Sequence, residues 1–279
     1  MVDVHCHLNF HSFEKDYDEV IKSAFEAGVS KIINVGTKID SSEKAVALTR
    51  QYKNLYAIVG IHPHHADKVE KGWEEELEEL VLRSRIPLHG TKNAKKVVGI
   101  GECGLDYFSY KSNDIVDPKL QKEVFIKQIE LSYKLKLPLQ IHNRHAGKDI
   151  LDILINHKSY LLNPPGMFHC MSGDIDLLRK VLNLGFYVGF DGNITYKGLA
   201  QRERTELKDL VKYATLTRIV TETDSPFLTP EPKRGSRNIP SYVILVGKKV
   251  AEIKNVSFAK VRRQTIKNAK TIFKLDAKH

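Results

Sequence analysis

Asp3-Val4-His5-Cys6-His7 sets two imidazoles two residues apart, directly behind a short apolar start. Successive side chains of a β-strand alternate between faces, so His5 and His7 share one face while Cys6 takes the other. Two imidazoles on one face can hold a divalent cation. The pair has company at wide intervals. Glu102 ends Val97-Val98-Gly99-Ile100-Gly101, and His142 follows Leu137-Pro138-Leu139-Gln140-Ile141. His169 follows Gly166-Met167-Phe168, and Asp224 ends Arg218-Ile219-Val220-Thr221-Glu222-Thr223. Each stands where a strand would end. Four imidazoles and two carboxylates exceed what one tetrahedral ion needs, and they suit two ions that share a bridging carboxylate. Glu102 is the natural bridge, with His5, His7 and Asp224 assigned to one ion and His142 and His169 to the other.

Short β-like runs alternate with helical patterns from end to end, the signature of βα units and a parallel sheet. Eight strands are expected, over Val2 to His5, Lys31 to Val35, Tyr56 to Ile61, Val97 to Glu102, Pro138 to His142, Gly166 to His169, Gly185 to Phe190 and Arg218 to Glu222. Helices fill the gaps over Lys15 to Ala27, Ser41 to Gln51, Trp73 to Arg85, Pro118 to Leu135, Lys148 to Asn156, Ile175 to Leu184 and Arg202 to Tyr213, with two more after the last strand. Eight repeats point to a closed (β/α)8 TIM barrel, a single domain over residues 1–279. All its strands are parallel, so residues ending the first, fourth, fifth, sixth and eighth converge on one face. Ser41 and Ser42 are expected to cap the second helix, Gly28 and Gly185 to follow helices as C-caps, and Ser257 to start the last helix. Ile86 to Lys96 reads as a surface insertion and Thr229 to Pro240 as a loop.

Of the 279 residues, 42% are hydrophobic and 28% charged, an ordinary balance that argues against disorder. The longest apolar stretches, such as Tyr242 to Val246, fall far short of the roughly 20 residues that cross a bilayer. A charged n-region followed by an apolar h-region is missing too, so the cytoplasm is the expected compartment. Three cysteines, Cys6, Cys103 and Cys170, are too few for a disulfide framework. Each sits beside a proposed ligand and is expected to be a buried, reduced thiol on the helix side of the barrel. Lysine and arginine exceed acids by 44 to 34, a net charge of +10, which favours a polyanionic partner, although lysines such as those between Lys119 and Lys136 also serve simply to solvate a helix.

Six motifs in order carry a resemblance over nearly the whole chain. They are Asp3-Val4-His5-Cys6-His7-Leu8, Gly60-Ile61-His62-Pro63-His64, Gly99-Ile100-Gly101-Glu102-Cys103-Gly104-Leu105-Asp106-Tyr107, Leu137-Pro138-Leu139-Gln140-Ile141-His142-Asn143-Arg144, His169-Cys170-Met171-Ser172-Gly173 and Thr221-Glu222-Thr223-Asp224-Ser225-Pro226-Phe227-Leu228-Thr229-Pro230. The chain resembles the TatD family of metal-dependent deoxyribonucleases, within the amidohydrolase-like barrels. That resemblance implies a two-metal site at the positions named, with Mg, Mn or Zn as cofactor, acting on phosphodiester bonds and commonly as a 3'-exonuclease on DNA. Two cations would lower the pKa of a water, orient the phosphate and neutralise developing charge. Asp224 would hold or deprotonate that water, and Glu102 would complete the catalytic pair. His62 and His64 would contact the phosphate from the rim, Arg144 would clamp it bidentately, and Lys233, Arg234 and Arg237 would follow the backbone. Tyr107 and Phe108 offer a stacking platform for a terminal base.

The expected partner is single-stranded DNA or DNA 3' ends, with no membrane and a monomeric chain. Two departures from the family pattern, His145 after Arg144 and Ile239 in Arg237-Asn238-Ile239-Pro240, border the substrate rather than the ions. The same ligands also fit a metal-dependent ester or amide hydrolase, such as a D-aminoacyl-tRNA deacylase.

Overall fold

A computed structural model describes residues 1–86, 95–110, 114–199 and 203–275. Its eight strands are β1 (Val2–Cys6), β2 (Lys31–Val35), β3 (Leu55–Val59), β4 (Val97–Asp106), β5 (Leu139–Arg144), β6 (Gly166–Phe168), β7 (Tyr187–Phe190) and β8 (Ile219–Thr221). They form one parallel sheet in chain order. The helices are α1 (Tyr17–Glu26), α2 (Ile39–Thr49), α3 (Trp73–Arg83), α4 (Pro118–Leu135), α5 (Gly147–Asn156), α6 (Ile175–Asn183), α7 (Leu207–Tyr213), α8 (Val243–Lys254) and α9 (Phe258–Phe273). Cys6 bridges in parallel to Ser225, His7 N donates to Ser225 O at 2.8 Å and Asp224 N donates to His5 O at 2.9 Å. Buried Asp3 accepts from Thr223 N at 3.0 Å and from its hydroxyl at 2.7 Å, so the first and eighth strands are tied and the barrel closes. None of the helices among the described residues is long and apolar enough to cross a membrane.

Local chemistry explains most helix ends. Asp117 caps α4 by accepting from Lys119 N at 2.8 Å, with Pro118 in the first turn, where its missing N–H costs nothing. Asp174 caps α6 through Leu177 N, and Ser257 caps α9 through Lys260 N. Gly28 and Gly185, with φ of 95° and 92°, end α1 and α6 as the sequence suggests. Several boundaries differ from expectation by a few residues. The second helix starts at Ile39, so Ser41 lies in its first turn and caps from there, its hydroxyl accepting from Lys38 N at 3.0 Å as the third-position half of a capping box. The seventh starts at Leu207, five residues past the expected Arg202, which itself lies outside the described residues. Residues 87–94 of the expected surface insertion also lie outside them.

Among the strands β4 differs most, because it runs on to Asp106 with every residue buried. Parallel pairing with β5 continues through Asp106 opposite Arg144, which keeps the extension hydrogen-bonded. Two register shifts matter more than the lengths. One falls between Asp3 and Cys6 in β1, the other between Ile100 and Cys103 in β4. Such bulges re-aim side chains. Val2 and Val4 join Ile33, Ile58, Val98, Met167 and Val220 in an apolar cluster sealed by Ala269, Ile272 and Phe273 of α9. Beyond the shifts, the same strands present His5, His7 and Glu102 to one another.

Close approach of β4 and β5 completes the placement. A Cβ at Gly104 would lie 2.1 Å from His142 O, and its φ of +137° is one that side chains rarely adopt. Gly104→Ala is therefore expected to destabilise the fold by about 2 kcal/mol or more, as overpacking against backbone does. Urea unfolding monitored by circular dichroism reads this; a midpoint equal to that of the unaltered chain would contradict it.

Candidate metal centre

The imidazoles of His5 in β1 and His7 just past its end have defined tautomers. Gln140 Nε2 donates to Val4 O at 2.9 Å, which leaves Gln140 Oε1 to accept from His5 Nδ1 at 2.8 Å. His7 Nδ1 faces Val35 O at 2.9 Å. Carbonyl oxygens only accept, so both rings carry their proton on Nδ1 and turn an Nε2 lone pair inward. Those two Nε2 atoms stand 3.0 Å apart. Lone pairs so close repel unless a positive charge lies between them. Burial, reinforced by the neighbouring His169, holds His5 well below the usual imidazole range, so the ring is neutral.

The carboxylates complete the cage. Glu102 Oε2 lies 3.5 Å from His5 Nε2 and 3.8 Å from His7 Nε2, while Asp224 Oδ1 lies 3.5 and 3.4 Å from them. Donor atoms bound at about 2.0–2.2 Å around a tetrahedral ion lie roughly 3.3–3.6 Å apart. The 3.4 and 3.5 Å separations match that spacing, while 3.0 Å between the two imidazoles and 3.8 Å from His7 to Glu102 call for small shifts before one cation is held. His5, His7 and Glu102 also form one of the groups of donor atoms that all lie within 4.8 Å of one another.

Glu102 turns its other oxygen to a second set. Oε1 lies 2.6 Å from His142 Nδ1, 3.5 Å from His62 Nε2 and 3.9 Å from His169 Nε2. His169 stacks on His5 with centroids 3.6 Å apart, and its Nε2 reaches within 4.0 Å of Asp224 Oδ1. One buried carboxylate therefore serves two imidazole sets, the arrangement a bridging ligand requires. Burial opposes its charge, but His62 and the hydrogen bond from His142 prevail and hold Glu102 well below the usual carboxylate range.

Outer partners orient the second set. His169 Nδ1 lies 3.0 Å from Glu222 Oε1, which leaves Nε2 for a ligand bond. His142 Nε2 lies 3.1 Å from Asp106 Oδ2, which leaves Nδ1. Burial opposes a proton on either ring, yet hydrogen bonds with Asp106 and Glu102 raise His142 to about 9, and the charge of Glu222, followed by its hydrogen bond, raises His169 to about 10. These protons stand where cations would bind.

A proton-linked affinity follows. Both rings keep a proton below their raised pKa values, and an imidazole must lose it to bind metal. Affinity for Mn should therefore rise between pH 6 and 9, by up to about tenfold per unit for each displaced proton, with proton release at pH 7.5. Calorimetry in two buffers of different ionisation enthalpy measures the release; proton-neutral binding would contradict the linkage.

The expected rim residues divide. His62 sits deeper than expected, its Nδ1 accepting from His64 N at 3.1 Å, so its proton lies on Nε2 facing Glu102. In that tautomer it is a donor, not a ligand. His64 Nε2 lies 3.0 Å from Asp106 Oδ2, which also accepts from Tyr110 OH at 3.0 Å. Arg144 donates to Tyr110 OH at 2.9 Å, its guanidinium 4.3 Å from the Phe108 ring centre. Tyr107 is turned away, its hydroxyl donating to Asp149 of α5 at 2.8 Å. Arg237 is committed elsewhere: it pairs with Asp16 at 2.5 and 3.0 Å, donates to Ser12 O and lies over Phe13. Arg234 lies over the Tyr196 ring. Of the two departures, His145 stacks on Phe108 and Ile239 packs beside the cluster containing Phe13.

Sequence reasoning missed Asp106 and Glu222. Both stood inside the quoted motifs, but Asp106 lies past the expected end of the fourth strand, Glu222 reads only as the end of the eighth, and their partners are distant in sequence. The cysteine expectation holds for Cys6 and Cys103, which are buried and unpaired. Cys170 is a free thiol as expected but only half-buried, its sulfur accepting from Asn193 Nδ2 at 3.3 Å. Alternation does not apply there, because β6 ends at Phe168 and Cys170 turns left-handed at φ 45°.

Known proteins resemble this chain over nearly its whole length. A family model described as TatD related DNase matches residues 2–274. A Bacillus subtilis protein named an uncharacterized metal-dependent hydrolase, YabD, is 36% identical over 277 residues, covering 99% of this chain and 100% of that one. The Shigella flexneri protein named 3'-5' ssDNA/RNA exonuclease TatD is 29% identical, covering 98% of each. Among solved structures, the Escherichia coli TatD homologue YjjV superposes with a TM-score of 0.84 at 26% identity, covering 99% of this chain and 98% of that one. A phosphotriesterase homology protein from the same organism, at 16% identity and TM-score 0.66, shares the barrel fold. The chain belongs to the TatD related DNase family and is a metal-dependent hydrolase.

Proposed function

We propose that this protein removes nucleotides from the 3' end of single-stranded nucleic acid by hydrolysing phosphodiester bonds, using two divalent cations held by His5, His7, Glu102, His142, His169 and Asp224. The observation that carries this reading is the division of Glu102, whose Oε2 faces the His5 and His7 pair while Oε1 faces His142 and His169. When bound, Mg, Mn or Zn at these donors neutralises phosphate charge and makes water nucleophilic near neutral pH.

The chain's own groups do the rest. Asp224 has a side chain 15% exposed against 5% for Glu102, so it is the carboxylate at the opening and takes the proton of the attacking water. His62, with its proton on Nε2, donates to a phosphate oxygen. Arg144 reaches the same oxygens from the β5 side, its guanidinium pre-set by Phe108 and Tyr110. The net charge of +10 and the similarity to the Shigella flexneri protein named 3'-5' ssDNA/RNA exonuclease TatD support a nucleic-acid substrate.

The test is a 5'-labelled single-stranded oligonucleotide incubated with Mg or Mn, with a chelator control and a circular strand beside it. A metal-dependent ladder shortening from the 3' end, with the circle intact, is the expected result. An inert linear strand with folded, metal-loaded protein would overturn the phosphodiester reading and leave a carboxylic ester or amide as the bond to try.

A further inference from the structure

On the His7 side of the cluster stands an aromatic pair that no step above uses. Phe10 is stacked on His7, with centroids 4.4 Å apart and planes within 12°. Phe227 stands edge-on to both, 6.3 Å from Phe10 and 6.4 Å from His7. It is 52% exposed. A lone exposed apolar side chain is ordinary, but this one extends the wall over a ligand-bearing imidazole. It is also held in place: Phe227 N donates to Asp224 O at 2.8 Å, and Phe227 O accepts from buried Asn238 at 2.5 Å.

From Phe10 a cleft of about 340 Å³ opens between the segment Leu8 to Tyr17 and α2. Leu8, Phe10, Tyr17 and Leu48 give it apolar and aromatic walls, Gln51 and Lys44 add an amide and an ammonium group, and the carboxylate of Glu14 at its edge is paired with His11 at 2.6 Å. That volume falls within the range of roughly 300–1,000 Å³ typical of small-ligand sites. We propose that Phe10, Phe227 and this cleft form the subsite for the base of the nucleotide whose phosphate is cut. The inference rests on the phosphodiester reading above.

Chemistry favours this flank over the other. Every base offers a π-face, so an exposed phenyl ring binds bases with little regard to sequence, as a processive exonuclease needs. An amide can pair with base edges, and an ammonium can meet an adjacent phosphate. On the His142 side, the guanidinium of Arg144 already covers Phe108, and Tyr110 is bonded to Asp106. That flank suits phosphate; the His7 flank suits the base.

Two measurements test the subsite. In the first, the 5'-monophosphate of 2-aminopurine deoxyribonucleoside is titrated with Mg-loaded protein. Stacking should quench its fluorescence, Phe227→Ala should lose the quench and weaken binding by about 5- to 100-fold, and Phe227→Tyr should retain both. The second compares kcat/KM on strands ending in a natural nucleotide or an abasic tetrahydrofuran residue. The unaltered enzyme should prefer the base, and Phe227→Ala and Phe10→Leu should bring the ratio towards one. A ratio unchanged by both substitutions, or no quench while cleavage proceeds, would overturn the subsite. If neither strand is cut but the quench persists, the phosphodiester reading fails and the base subsite stands.

Discussion

Asp224→Asn is expected to lower kcat on single-stranded DNA by about 10²- to 10⁴-fold, the range that a general base contributes. The amide has nearly the same shape, and Asp224 N still donates to His5 O, so the fold should be unaffected. What changes is that the amide cannot take a proton. Because Asp224 Oδ1 also lies 3.4–3.5 Å from both inward Nε2 atoms, cation affinity on that side should fall as well. Single-turnover kinetics at saturating Mn separates the two effects. A rate within threefold of the unaltered enzyme would remove Asp224 from the chemistry.

Glu102→Gln should be more damaging still. An amide offers one oxygen and one NH2 group, so it can face only one of the two imidazole sets with an acceptor. The other set then meets a donor that repels a cation. Loss of an outer partner such as Glu222 or Asp106 costs about 10- to 100-fold in affinity or activity, and loss of the shared ligand should exceed this. Turnover should fall by about 10³-fold or more, since several kcal/mol of charge stabilisation go with the second cation. Retention of two tightly bound metal ions in this variant would refute the bridging role.

The sequence carries the fold and the convergence of the candidate ligands because both rest on local pattern. Each ligand candidate ends or closely follows an apolar run, and parallel strands in a barrel bring such ends to one face. Register is a different matter. The shifts in β1 and β4 depend on pairing with neighbouring strands, and no local run of residues announces them. They explain why Val4 can join the barrel cluster while His5 and His7 face the site. Outer partners are equally hidden. Gln140 orients His5 from 135 residues away, and Asp106 becomes a partner of His142 only because β4 continues four residues past Glu102.

The rim is the least legible part, because a long side chain can reach several partners. Arg237 looked suited to a nucleic-acid backbone and instead clasps Asp16, which pins the loop after β8 to the start of α1. Tyr107 looked like a platform and instead anchors α5. His62 lies within the cluster it was expected to overlook. Phe10, which drew no notice among ordinary loop residues, lies flat on the His7 ring.

The central claim is that one carboxylate joins two cations, and anomalous diffraction from crystals grown with Mn measures it most directly. The account predicts two peaks, one among His5, His7 and Asp224 and one beside His142 and His169, with Glu102 Oε2 bound to the first and Oε1 to the second. A single peak at saturating Mn, or two peaks with Glu102 bound to neither, would contradict it.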